Sequence, residues 1–303
     1  MKFSIIKNKA PIIGPGIKQF NPFAFDALWA YHPCIVTYKG EYFLFYTGKG
    51  TGLGINHQIG LAKSKDLNSW RKSSISPLPL GNYGEWDSDF VAHCFVFKDG
   101  DTFKMLYDGS KKGNWLESIG LAESKDLMHW KKYNNNPIFK ISNNWWEKRH
   151  VSRCSVFKEK GMYYLYYAGH DDQRERIGIA KGKNLLSLKR VLKTPVLDVG
   201  GRGTWDEASI SDPRVIKYKD HYLMFYSGAD VKGIERIGVA ESRDFIHWKK
   251  HRGNPILDVS ENGWDKVSAA RADIKIFDDK VYIFYSGKKN FFYSIGIATL
   301  TIS

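Results

Sequence analysis

Cysteine is almost missing from this chain: Cys34, Cys94 and Cys154 are the three present, an odd number with no C-x-x-C spacing. That excludes a disulfide scaffold and a thiolate metal centre, and leaves buried free thiols. Long apolar runs are missing as well. No stretch approaches the ~20 residues that span a bilayer, and MKFSIIKNKAPII at the start lacks the ~7–15-residue apolar core of a secretion signal, so no membrane partner is expected and the location expected is cytoplasmic. The 3.6-residue period of amphipathic helices is not found anywhere. Nor is there a block of about five or six like charges. The net charge is +14, but the lysines are scattered through turns (Lys39, Lys98, Lys158, Lys219) and attract anions only diffusely, which argues against a nucleic-acid partner.

What the chain does have is a repeat. The motif Tyr-x-Gly ends at Gly48, Gly109, Gly169, Gly228 and Gly287, separated by 61, 60, 59 and 59 residues. An aromatic-acid pair recurs in step: Phe25-Asp26, Trp86-Asp87, Trp146-Glu147, Trp205-Asp206 and Trp264-Asp265. Between these marks lie short runs of Tyr, Phe, Ile and Val, divided by Gly, Asp and Lys turns. In the fourth copy they place strands near 213–218, 222–227 and 236–241, and from about 247. A four-stranded unit cannot bury both of its faces alone, so the copies must stack. Five copies predict an all-β fold: a five-bladed β-propeller of four-stranded antiparallel blades forming one domain over 1–303. The blades fall roughly at 11–75, 76–135, 136–193, 194–253 and 254–303. The last copy has no fourth strand of its own, and Ala10-Pro11-Ile12 matches Asn136-Pro137-Ile138, so residues 3–9 are expected to complete it.

The repeat also sorts residues by role. Those identical in every copy serve the blade, and those that vary at one position are free to serve a ligand. The S-x-D-x-x-x-W element at Asp66, Asp126 and Asp244, similar to the Asp box of sialidases, is by this rule a turn device. The acids Asp26, Asp87, Glu147, Asp206 and Asp265 are read as mostly structural, with Asp26 and Asp87 kept as substrate-contact candidates. Glu117, Glu175 and Glu235 recur at one position, which also favours structure. Seven residues past each aromatic the pattern changes to His32, His93, Arg153, Asp212 and Arg271, a polar ring on the innermost strands. Two residues further come Cys34, Phe95, Ser155, Arg214 and Asp273. Asp212 and Asp273, the inner-strand carboxylates, are therefore the catalytic candidates, together with Glu207, which stands beside Asp206 only in the fourth copy. The basic residues His32, His93, Arg153, Arg214 and Arg271 suit a phosphate, carboxylate or sulfate; alternatively they pair with Asp26, Asp87, Glu147 and Asp206 in a buried network. Asp171 and Asp230 are loop acids either of which could supply a missing acid, and Trp115 is placed to stack on a sugar face.

The full repeat, W-D-x(5)-D-P-x-V, G-x-Y-x-x-F-Y-S-G, then R-I-G-x-A-x-S-x-D and W, resembles the five-bladed propellers of glycoside hydrolase families 43, 32, 68 and 130. The resemblance implies a carbohydrate-active enzyme that cleaves a glycosidic bond in an axial pocket, with an oligosaccharide or glycoside, anionic ones included, as partner. In families 43 and 32 it also implies three inner-strand carboxylates on the first three blades. Here His32-Pro33, Phe95 and Ser152 stand at those places, so the usual triad is not retained. Asp212-Pro213-Arg214 is similar to the D-P-R of family 130, whose members include phosphorylases. Inverting hydrolysis needs two carboxyls about 6.5–9.5 Å apart, whereas phosphorolysis needs one acid and a held phosphate. A non-catalytic propeller binding an anionic saccharide is the remaining alternative. No cofactor is required by any of these, and an axial Ca2+ or bound phosphate is compatible with the ring.

Overall fold

The computed structural model describes residues 1–19, 23–51, 57–111, 116–277 and 280–303. Its strands fall into five antiparallel groups that follow the repeat. The first group is β2 (Trp29–Tyr38), β3 (Glu41–Lys49), β4 (His57–Ser64) and β5 (Arg71–Lys72). The second is β6 (Phe90–Asp99), β7 (Thr102–Ser110), β8 (Ser118–Ser124) and β9 (Lys131–Lys132). The third is β10 (His150–Glu159), β11 (Met162–His170), β12 (Glu175–Gly182) and β13 (Lys189–Arg190). The fourth is β14 (Ser209–Tyr218), β15 (His221–Ala229), β16 (Glu235–Ser242) and β17 (Lys249–Lys250), and the last is β18 (Ser268–Phe277), β19 (Lys280–Lys289) and β20 (Phe292–Ile302). Helix is confined, among the described residues, to one 3-10 turn at Gly16–Gln19. The fold is all-β and propeller-like. Single parallel bridges carry the hydrogen-bonded ladder from β4 to β6, β16 to β18 and β20 to β2, while β10 to β13 form a separate sheet.

The first strand of each group is longer than its apolar run. In the fourth group it begins at Ser209, four residues before the expected 213, because the stretch Ser209-Ile210-Ser211 still pairs with β15. Both faces of the second strands are buried (Leu44, Phe45 and Tyr46 at 0% exposure), since each group is covered by a neighbour on either side. The apolar core is accordingly five slabs rather than one. Phe45 and Leu61 pack on Val91 and Met105, and so on round to Phe284 and Ile295 against Ile35 and Leu44. The first strands of successive groups also touch in cyclic order, β2 to β6, β10, β14, β18 and back to β2.

The recurring acid turns out to be a clamp. Asp26, Asp87, Glu147, Asp206 and Asp265 each accept a bond from the tyrosine twenty residues on: Tyr46, Tyr107, Tyr167, Tyr226 and Tyr285, at 2.8, 3.0, 2.8, 3.2 and 3.0 Å. A cation on the fourth strand takes the other side: Lys72, Lys132, Arg190 and Lys250 at 2.5–2.7 Å. The aromatic before the acid explains the glycines, because a Cβ on Gly109 would come within 2.4 Å of the Trp86 ring. In the last group the cation is Lys7, 2.7 Å from Asp265. It lies on β1 (Phe3–Lys7), which pairs antiparallel with β20 so that Lys7 faces Ala298, the register in which Lys72 faces Ala62. Ile13 bridges Ile295 just as Phe139 bridges Ile119.

Candidate functional site

Every first strand carries a bulge at the same place. The pairing skips between Tyr31 and Cys34, Ala92 and Phe95, Ser152 and Ser155, Ser211 and Arg214, and Ala270 and Asp273. Within each skip one residue has a left-handed backbone: His32, His93, Arg153, Asp212 and Arg271, with φ of 55°, 48°, 49°, 54° and 57°. A non-glycine residue at positive φ costs of order 1–3 kcal/mol and persists only where its surroundings hold it. At four of the five a side chain of the preceding group does so, the exception being Asp212, where Ala168 stands at the bracing position. Ser286 Oγ, Thr47 Oγ1, Asp108 Oδ2 and Ser227 Oγ accept the N–H of His32, His93, Arg153 and Arg271 at 2.7–2.8 Å. The bulge also breaks the two-residue alternation, so positions 32 and 34 do not simply share a face.

The five bulged residues meet around one axis, and each basic one faces an acid. His32 Nε2 lies 3.0 Å from Asp212 Oδ1, both side chains 1% exposed. His93 Nδ1 lies 2.9 Å from Asp108 Oδ2, and its Nε2 lies 3.0 Å from Tyr31 Oη. Arg153 pairs with Glu175. Arg271 is bidentate to Glu235 at 2.8 and 2.6 Å, and Arg214 Nε lies 3.7 Å from Asp273. These contacts describe a buried network, but its acids are Asp212, Asp108, Glu175, Glu235 and Asp273 rather than the expected Asp26, Asp87, Glu147 and Asp206, which are held in the clamps by Lys72, Lys132, Arg190 and Lys250. Its outer tier, Arg153–Glu175 and Arg271–Glu235, remains 13–23% exposed; its floor, His32, His93, Asp108 and Asp212, is closed to solvent.

Burial sets the protonation of the floor. It drives His32 down to about 4 against the partial opposition of Asp212, and it drives His93 well below the usual imidazole range with the help of His32. Burial would raise Asp212, but His32, Arg153 and Arg271 outweigh it and hold the carboxyl well below its usual range. Neutral His32 therefore lies beside an ionised Asp212, Nε2 3.0 Å from Oδ1 but outside hydrogen-bond geometry, and both ring nitrogens and Asp212 Oδ1 are left without a hydrogen-bond partner. Burial and then the Glu117 carboxylate push Asp108 well above the usual carboxylate range.

Several candidates are engaged elsewhere. Asp273 Oδ2 accepts the Ile35 N–H at 2.7 Å, the same brace between neighbouring first strands that Cys34 Sγ makes to the Val96 N–H at 3.1 Å. Glu207 accepts the Gly203 N–H and holds its own loop. Asp26 and Asp87 sit in the clamps described above, away from the axis. Asp171 and Asp230 are counterparts of each other: each caps its own loop backbone and pairs with an arginine of the next strand, Arg176 at 2.6 Å and Arg236 at 2.9 Å. Trp115 lies outside the described residues. Sequence reasoning missed Asp108, although a signal existed. The variable residue of Tyr-x-Gly is Thr47, Ala168, Ser227 or Ser286 in the other copies, and only the second copy carries an acid. For a cation, His93, Asp108 and Glu117 each bring one ligand atom within 4.8 Å of the others. One oxygen of each carboxyl group, Asp108 Oδ1 and Glu117 Oε2, is unpartnered.

A profile of the glycosyl hydrolases family 32 N-terminal domain matches residues 32–205 and 115–255, a span that holds four of the five bulges. The chain belongs to this family. Among its relatives, a 1,2-beta-oligomannan phosphorylase of Thermoanaerobacter sp. (strain X514) is 25% identical over 72% of this chain and 71% of its own. Among solved structures, a BT0996 RGII complex superposes with a TM-score of 0.80 at 21% identity, covering 98% of this chain and 92% of that one. A thermostable family-43 glycoside hydrolase superposes with a TM-score of 0.73 at 20% identity, covering 90% of each chain. These structural likenesses carry the fold. For a family member, the departure lies in the first strands, where His32, Phe95 and Ser152 occupy the places of the expected carboxylates.

Proposed function

We propose that the chain is a carbohydrate-active enzyme that hydrolyses a glycosidic bond of an oligosaccharide or glycoside at the axial mouth of a five-bladed, single-domain propeller. The five slabs of core and the cyclic contact of the first strands support the blade number. One observation carries the chemistry: carboxylates and guanidinium groups converge at the mouth in closed pairs, with ionised and protonated acids side by side. Cleavage needs such a division between an acid that gives a proton and a base that takes one. Asp212, kept ionised, is the base or relay, reached through His32. Asp273 and Glu207 serve as braces in this reading, and the arginines orient sugar hydroxyls from the rim. No helix among the described residues is long and apolar enough to cross a membrane. The enzyme is read as working in the cytoplasm.

Phosphorolysis is the second reading, favoured by the phosphorylase relative. It requires cations free to hold phosphate, and here Arg153, Arg271 and Arg214 each face a carboxylate already, which weighs toward water as nucleophile. The same pairing weighs against an anionic saccharide. The test is a screen of 4-nitrophenyl glycosides and β-linked oligosaccharides with and without inorganic phosphate. Release of free sugar independent of phosphate supports hydrolysis; sugar 1-phosphate formed only with phosphate replaces it with phosphorolysis; no turnover of any glycoside refutes the enzyme reading.

A further inference from the structure

The first group lacks the indole that the other four lay across their third strand. Trp86, Trp146, Trp205 and Trp264 place their six-membered rings over Gly120, Gly178, Gly238 and Gly296, where a Cβ would meet them at 2.2–2.7 Å. The first group has Phe25 instead, and its shorter ring covers Gly48 but does not reach Gly60, whose Cβ would have only Tyr46 atoms as its three nearest neighbours. A cavity of about 770 Å³ opens there, bounded by Phe23, Phe25, Gln58 and residues 73–76. Even the indole N–H has been replaced. In the third group Trp146 Nε1 donates to Lys193 O at 3.0 Å, and the corresponding carbonyl of the first group, Ile75 in Ile75-Ser76-Pro77, takes the Ser73 hydroxyl at 2.9 Å.

The wall of this cavity is neutral. Its charged residues, Asp26 and Lys72, are bound to each other, and Lys72 also donates to Gly14 O, so neither is left for an anion. Ser73 and Ser76 give their hydrogens to Ile75 O and Leu78 O and keep acceptor lone pairs. Among the described residues nothing bonds the Ser74 hydroxyl or the Gln58 amide. Phe23 and Ile75, 94% and 74% exposed, stand at the opening. An aromatic face for one side of a flat ligand, with hydroxyl and amide groups for its edge, is the chemistry that recognises a sugar, and the volume lies within the ~300–1,000 Å³ of small-molecule sites. We propose that the cavity is a second saccharide site, in which a neutral sugar unit lies where the other groups hold an indole, one face against Phe25 and its hydroxyls toward Gln58 and residues 73–76. The site is separate from the mouth, because Asp26 and Lys72 belong to the clamp rather than to the axis, and it does not depend on how the mouth cleaves a bond.

Phe25→Trp is the informative variant, because it restores the residue of the other four groups and fills the inner end of the cavity. In the full chain, saturation-transfer NMR with D-glucose, D-mannose, D-galactose and L-arabinose should show transfer to the ring protons of at least one of them. Phe25→Trp should weaken that binding about tenfold or more while melting no lower than the parent. Equal affinity in the variant places the sugar elsewhere and overturns the proposal. So does the absence of transfer to all four sugars, whether or not indole, added as a second probe, binds in their place. Should Phe25→Trp melt well below the parent, Gln58→Leu and Ser74→Ala decide: weaker sugar binding in either upholds the site, and parental affinity in both overturns it. None of these readouts needs turnover, so a chain that cleaves no glycoside removes the hydrolase reading and leaves this test standing.

Discussion

His32 Nε2 and Asp212 Oδ1 lie 3.0 Å apart on the first strands of two non-adjacent groups, both on left-handed bulges and both sealed from solvent. Neither residue would sit there on an unbroken strand. The pair follows from strain that five neighbouring groups hold in place together, and it defines the protonation state of the floor of the mouth.

That pair predicts how stability depends on pH. His32 titrates near 6.5 when unfolded and at about 4 when folded, so the unfolded chain binds the extra proton as pH falls below 6.5. The stability contributed by neutral His32 is complete above 6.5 and is lost progressively down to about 4, and the depressed Asp212 acts in the same direction at lower pH. Melting temperature measured across this window should fall as the buffer is acidified. His32→Gln should flatten the slope; an unchanged slope would show that His32 is not the responsible group.

Asp212→Asn should lower glycoside turnover by at least about 10²-fold while the variant still folds and binds saccharide, because the amide keeps the shape and loses the base. Thermal melts and binding isotherms run alongside the kinetics separate loss of chemistry from loss of structure. A variant with parental kcat removes Asp212 from the mechanism.

Lys7 is expected to close the last group. Removing it strands the carboxylate of Asp265, 1% exposed, and should cost on the order of 3 kcal/mol in Lys7→Met. A chain beginning at Asn8 should melt well below the full chain. Equal denaturation midpoints for the two chains would place the closure elsewhere.

Gly109→Ala should destabilise by roughly 1–3 kcal/mol, because its new methyl would meet the Trp86 ring at 2.4 Å and a buried indole cannot step aside. Gly100→Ala, whose Cβ would meet open space though at φ of 62°, provides a comparison in which the cost is backbone strain alone. Urea titrations of both check that the cost at Gly109 comes from crowding.

Much of this protein was determined by its sequence alone. The spacing of Tyr-x-Gly and Trp-Asp marks the five strand groups, and the Asp66, Asp126 and Asp244 turns follow from carboxylates accepting nearby N–H groups, as at Asn68 and Ser69. These are local relationships, repeated until they cannot be mistaken. Tertiary structure alone decided which polar residues meet. The bulge at His32, His93, Arg153 and Arg271 is held by side chains some forty to two hundred and fifty residues away, such as Thr47 for His93 and Ser286 for His32, and no period in the chain encodes it. For the same reason the basic ring could not be recognised as charge-balanced, nor Asp108 and Glu117 as a pair. Their partners lie on other strands, and only packing the groups together brings the opposite charges within reach and removes the water between them.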